Sequence, residues 1–266
     1  MRTLISADLR SRWRSLAALT GGCFTVLIVL SGTYTAYGGA AAFEKSFGGG
    51  HTPKLFSAFS GSADTDIFSP EHFLAFGFGH PLFLVLALSV AVTSGVAAVA
   101  TDVETGRAEL LFSAPVPRGR LLNARITAWA AAQAGVIAGG LAGALIGSQI
   151  SNDLHVPVAV PMRVAVQFCS LALFVAAVAF AASSRAHTRG AAFAVTVGVT
   201  AGSYVANLVA LLWHPLAFLQ RVNPFGYYSP TEAAQHVDWG DFAVLVGASF
   251  LLMVAAHRFL ARRDLA

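Results

Sequence analysis

Charge is what this sequence has least of. Its 266 residues include 17 Lys and Arg and 13 Asp and Glu, together 11% of the chain. A soluble domain carries about 25% charged residues, so this composition excludes a water-facing surface of that size. Lysine is scarcer still, with only Lys45 and Lys54. The two cysteines, Cys23 and Cys169, both fall inside apolar runs. That excludes a disulfide framework or a cysteine zinc site and leaves both as packing residues. No GxSxG nucleophile motif occurs, and no histidine pair has H-x-x-x-H spacing. Ser/His/Asp catalysis therefore has no local signature. Outer histidines (His51, His72, His80, His155, His214 and His236) are read as ordinary interface residues, and no metal site is expected.

What the chain has instead is apolar length. Hydrophobic residues make up 56%, and the mean hydropathy is +0.67. Apolar stretches run over about 17–37, 73–100, 121–148, 161–182, 191–213 and 240–257. Each reaches or approaches the roughly 20 residues a helix needs to cross a bilayer. None alternates with period two, so helices are favoured over a barrel. The expected fold is an all-α integral membrane protein with six transmembrane helices forming a single transmembrane domain over 1–266. Pro81 lies inside the long second stretch, so its outer end is a candidate for a separate turn.

Arginine placement sets the expected orientation. With six helices and a cytoplasmic N-terminus, thirteen of the seventeen basic residues fall inside. Lys45, Lys54, Arg163 and Arg221 fall outside. The positive-inside rule then places both termini in the cytoplasm. The first stretch has basic residues before it and Ala40-Ala41-Ala42 after it, as a signal peptide would. At about 22 residues it is longer than an h-region, so an uncleaved helix is expected. Ahead of it, Ile5, Leu9, Trp13 and Leu16 recur at helical spacing opposite Ser6, Arg10 and Arg14. That pattern predicts an amphipathic interfacial helix over 1–16, with a disordered basic tail as the alternative. The basic balance points to anionic headgroups and not to nucleic acid.

Glycine is placed with regularity in the third stretch. Gly135, Gly139, Gly143 and Gly147 stand four apart, which suits close approach of a second helix in this chain or in another copy. Gly198 and Gly202 form a shorter version in the fifth stretch. Residues 214–239 carry several prolines and aromatics and read as an outer re-entrant or interfacial segment. Gln133, Gln167, Ser203, Tyr204 and Asn207 are scattered polar residues suited to interhelical hydrogen bonds.

The middles of the six stretches hold no Asp, Glu, Lys, Arg or His. Proton- or sodium-coupled carriers usually keep such groups despite their cost, so autonomous secondary transport is disfavoured. A P-loop needs a lysine after a glycine-rich loop, and neither lysine is on the expected cytoplasmic side. Energy for any uphill movement must enter from another polypeptide, and ATP hydrolysis is not expected here. The remaining alternatives are a channel or secondary carrier, or a non-transport membrane assembly factor. An intramembrane enzyme would need a polar cluster that the stretches lack.

The entry point is expected in the segment 101–120. Thr101 and Glu104 have capping-box spacing, and a short helix is predicted from about Val103 to Ser113, stopped by Pro115. Arg107, Leu110, Leu111 and Ala114 share a stripe, and an exposed Leu-Leu pair suits a docking surface.

At this point the stretch "ETGRAELLFSAPVPRGRLL" resembles the permease subunits of ABC exporters of the type V (drug and polysaccharide) class. The match lies on Glu104, Gly106, Glu109, Leu110, Leu111, Pro115, Val116 and Arg118. The tail "RFLARRDLA" (Arg258 to Ala266) is similar to tails in that family, and the layout of six spans fits. The resemblance implies a dimer of permeases in a bacterial plasma membrane, bound to two cytoplasmic ATP-binding cassette subunits that hold the ATP and magnesium. It implies that 101–120 is the coupling segment. Glu104 and Glu109 would be polar anchors, Leu110 and Leu111 the apolar contact, and Arg118 a brace. Arg107 departs from the small or polar residue common there. The cargo is not readable beyond an expectation of an amphipathic or lipid-like compound.

Overall fold

A computed structural model describes residues 2–46, 58–59, 61, 67–107, 117–151 and 153–263. Glu109, Leu110, Leu111, Pro115 and Val116 lie outside the described residues. The described structure is all helical, with α1 (Arg2–Ala36), α2 (Ala40–Ser46), α3 (Pro70–Gly79), α4 (Pro81–Val96) and α5 (Ala100–Glu104) in the first half. The second half holds α6 (Arg118–Ile150), α7 (Ala159–Arg185), α8 (Arg189–Leu212), α9 (Pro230–Gln235) and α10 (Trp239–Ala261). Two 3₁₀ segments, His214–Val222 and Pro224–Tyr227, lie between α8 and α9.

Among the described residues five helices are long and apolar enough to cross a membrane, and six spans result if α3 and α4 count as one broken span. The break falls where Pro81 predicts it. Proline has no N–H and cannot continue α3, so the chain turns by 47°. The His80 ring then caps α4 by accepting from Leu82 N at 3.3 Å.

The first helix runs without interruption over 35 residues, about 52 Å at 1.5 Å per residue. The segment expected to lie apart on the surface therefore continues straight into the span. Its Arg12 guanidinium reaches Ser94 Oγ at 3.4 Å, so this end packs beside the end of α4.

The core is centred on α7, whose buried face runs from Val160 to Ser184. α4, α8 and α10 pack around it, while α1 packs along the length of α6. At the α4–α7 crossing a Cβ on Gly95 would meet Ala179 Cβ at 2.4 Å. Only a glycine allows that approach.

Polar residues within the spans tie elements together. Gln133 Nε2 donates to Ala87 O at 3.1 Å, joining α6 to α4. Gln167 Nε2 donates to Tyr227 O at 3.1 Å, and Asn223 Nδ2 donates to Ser203 O at 2.6 Å. Together with Arg163 Nη2 on Ala234 O at 2.6 Å and Tyr228 Oη on Phe78 O at 3.2 Å, these fasten residues 214–238 onto the far end of the bundle. Burial and the nearby Asp241 and Asp238 push the Glu232 carboxyl up, with His236 opposing.

Candidate functional site

The end of the bundle that carries Arg118 and the last turn of α10 gathers most of the ties between charged side chains and the chain. α4 stops at Val96, and residues 97–99 turn before α5 begins. Ser183, fully buried near the end of α7, holds that turn. Its Oγ accepts from Val99 N at 3.0 Å and Ala100 N at 2.9 Å, and donates to Val96 O at 2.8 Å. One hydroxyl thus satisfies two free N–H groups at a helix start and a carbonyl at a helix end.

α5 carries Asp102, whose carboxylate takes Arg125 Nη2 of α6 at 2.5 Å. Arg125 Nη1 also donates to Ala97 O at 3.2 Å. Both side chains are largely shielded, at 23% and 11% exposure for Arg125 and Asp102. A charge pair with little water around it keeps more of its strength than a surface pair.

The first root of the 101–120 segment departs from expectation. Thr101 and Glu104 do not form a capping box, because α5 already begins at Ala100 and Ser183 supplies its cap. Glu104 reaches instead to the start of α8, where its Oε2 accepts from Arg189 N at 2.8 Å. A carboxylate there also meets the positive end of the helix dipole. The helix expected to run on from Val103 is interrupted. α5 ends at Glu104 with Thr105 as its cap, and Gly106 has φ +70°, a left-handed conformation that favours glycine. A Cβ there would touch nothing within 4 Å, so the backbone turn accounts for the residue and packing does not. Arg107 follows, exposed.

The second root is Arg118, at the start of α6. Its Nη1 donates to Arg263 O at 2.8 Å and Leu260 O at 3.3 Å. Arg263 continues the chain of contacts, with Nη1 on Ser184 O at 3.0 Å and Nη2 on Ala186 O at 2.7 Å. Burial lowers the Arg263 guanidinium from its ordinary value, and the two carbonyls answer its charge. His257 of α10 meets Asn123 Oδ1 of α6 at 2.8 Å. Both roots are thereby fixed to α6, α7, α8 and α10.

Sequence reasoning did not single out Ser183, Asp102, Arg125 or Arg263. A signal existed for two of them. Asp102 stands just past the apolar stretch before the segment and Arg125 within the first turns of the one after it, where an unpaired charge is costly.

The glycines of α6 divide. A Cβ on Gly139 would meet Thr20 Cγ2 at 2.5 Å, one on Gly143 would meet Phe24 O at 2.4 Å, and one on Gly147 would meet Ser31 Oγ at 2.5 Å. All three neighbours belong to α1. Gly135 has nothing within 4 Å.

Among the described residues the bundle carries open grooves. One of about 330 Å³ lies between α4 and α8, with Leu84, Leu88, Val197 and Phe225 on its walls. Its Ser89 and Thr93 hydroxyls donate to Val85 O and Ser89 O of their own helix, so the walls present apolar surface. A second, of about 630 Å³, lies among α7, α8 and α10. Among the described residues, no three His, Cys, Asp or Glu side chains group as metal ligands would.

No match is found among curated proteins. The family model described as ABC-2 family transporter protein matches residues 2–265. The chain belongs to the ABC-2 transporter family, as a multi-pass membrane permease.

Proposed function

We propose that this permease is the membrane subunit of an ATP-driven exporter of the type V class. Two copies form the path, and separate cytoplasmic ATP-binding cassette subunits seat on residues 101–120. The observation that carries the reading is the double anchoring of that segment, by Glu104 and Asp102 at one root and Arg118 at the other. A loop that only joined two spans would have no need of both anchors. The chain's two lysines, Lys45 and Lys54, both fall outside residues 101–120, which supports the same reading. No P-loop lysine is available beside the segment.

In this reading both termini are cytoplasmic, and the arginine-rich start of α1 lies at headgroup level, with Trp13 60% exposed and suited to that layer. Gly106 turns the chain toward the partner, Glu109 supplies a polar anchor, and Leu110 and Leu111 supply the apolar contact ahead of Pro115. Glu104 acts on the membrane side, holding the start of α8. ATP and magnesium stay in the partner. The apolar groove between α4 and α8 suits a cargo with an alkyl or aromatic portion.

The test is co-purification of this chain with the products of its neighbouring genes, where a P-loop ATPase is expected among them. Leu110→Asp combined with Leu111→Asp is expected to abolish association and leave membrane insertion intact. Unchanged association would move the dock elsewhere. Transport by the purified chain in vesicles without any ATPase would overturn the reading as a whole.

A further inference from the structure

The groove among α7, α8 and α10 has a different chemistry from the one between α4 and α8. Its walls are Ala182, Val195, Leu252 and Phe259, and at one end stand Arg185 and His187. Its width follows from the sequence. The last turns of α7 present alanines, and the first turns of α8 do too, so small side chains on both walls leave a slot between them. Val195 is 54% exposed and Phe259 39%. The slot is therefore open along its length to whatever surrounds the bundle.

Among the described residues no ion pair neutralises the charged end. The Arg185 guanidinium lies over the Phe259 ring, 5.8 Å from its centroid, and has no ion pair among the described residues. Arg189 and Arg262 follow close by in the sequence on α8 and after α10. Among the described residues Glu104 reaches this end, and its Oε2 is already engaged by Arg189 N. The slot is thus apolar along its length and cationic at one end, and that end coincides with the ends of three spans.

From this juxtaposition we infer that the α7–α8–α10 groove binds an anionic phospholipid, with an acyl chain along Ala182, Val195 and Leu252 and the headgroup phosphate on Arg185 and His187. A basic mouth between transmembrane helices at the headgroup layer is the arrangement that retains such lipids. An apolar slot of this kind gives the chain a place that annular lipid lacks. The inference rests on the chain being a membrane permease and not on the proposed coupling. Loss of ATPase association in the Leu110→Asp and Leu111→Asp variant leaves it standing.

Native mass spectrometry of the full chain with dioleoylphosphatidylglycerol against dioleoylphosphatidylcholine tests it. Retention of the anionic lipid at discrete stoichiometry is expected, and replacing Arg185 and His187 together by Gln should lower it about fivefold or more. Arg185→Lys should retain it, which shows that the fold tolerates change at this position. Val195→Trp fills the slot and leaves every charge in place, and it should also release the lipid. Inorganic phosphate should not displace it. Equal retention of the two lipids, or retention unaffected by the Gln variant, would overturn the site. So would displacement by phosphate with no effect of Val195→Trp, which would mark a free-anion site. If Val195→Trp alters only self-association, the slot seats a second copy and the lipid assignment fails.

Discussion

α6 and α8 both carry glycines at intervals of four, and they use them in opposite ways. On α6, Gly139, Gly143 and Gly147 stand against Thr20, Phe24 and Ser31 of α1. On α8, Gly198 and Gly202 have nothing within 4 Å. The spacing alone says that a backbone can come close, and it does not say whose. The difference lies in the surroundings. Gly143 and Gly147 are buried, with Gly140 and Ala144 beside them on a small-residue face. α8 surrounds its pair with exposed Val195, Val199 and Val205, a surface suited to lipid or a second copy. Gly135 shows how narrow the face is. Four residues advance about 40° beyond a full turn, so over three such steps the stripe rotates by about 120° and its first member leaves the contact.

The strongest test of the contrast is Gly143→Leu. The obstacle is Phe24 backbone, with its O at 2.4 Å and its Cα at 2.9 Å from a Cβ at position 143, and no rotamer change relieves it. Destabilisation of about 3 kcal/mol, the upper range for overpacking, is expected. Thermal unfolding of the detergent-purified chain measures it. A near-neutral result would mean that α1 does not lie on α6 along this face. Gly147→Ala should cost less, about 1–2 kcal/mol, because its obstacle is the Ser31 side chain, Oγ at 2.5 Å and Cβ at 2.7 Å. Adding Ser31→Gly should recover most of that loss. If it recovers none, the wall at this position is not Ser31.

The same contrast marks how far the sequence could be read. The spans were legible because their length and apolarity answer to the bilayer alone. The bend at His80 was legible through Pro81, a local cause. The first root of the 101–120 segment was not. Thr101 and Glu104 have the spacing of a capping box, but the N–H groups at that helix start are taken by Ser183, which lies 84 residues from Val99. A partner that distant leaves no mark on local spacing. Gly106 was marked by the family resemblance, and the reason it is glycine, a left-handed turn, became visible only with its φ. The tail was also marked by resemblance, yet the bridge from Arg118 through Arg263 to α7 joins three separate parts of the chain. What remained hidden was long-range hydrogen bonding, while what was legible depended on neighbours in sequence or on the membrane.

The smallest effect is the most discriminating. Gly198→Leu places the same side chain that should break α6 on a face of α8 with open space. No clash is expected, and leucine favours helix over glycine by up to about 1 kcal/mol. Thermal unfolding of the dispersed single chain should therefore show no loss, or a slight gain, opposite in sign to Gly143→Leu. A loss comparable to that of Gly143→Leu would give α8 a neighbour within the chain and erase the distinction. A loss confined to concentrated, associating samples would set a second copy against Gly198. The distinction would then sharpen, since α6 would use its glycines within a chain and α8 would use its own between chains.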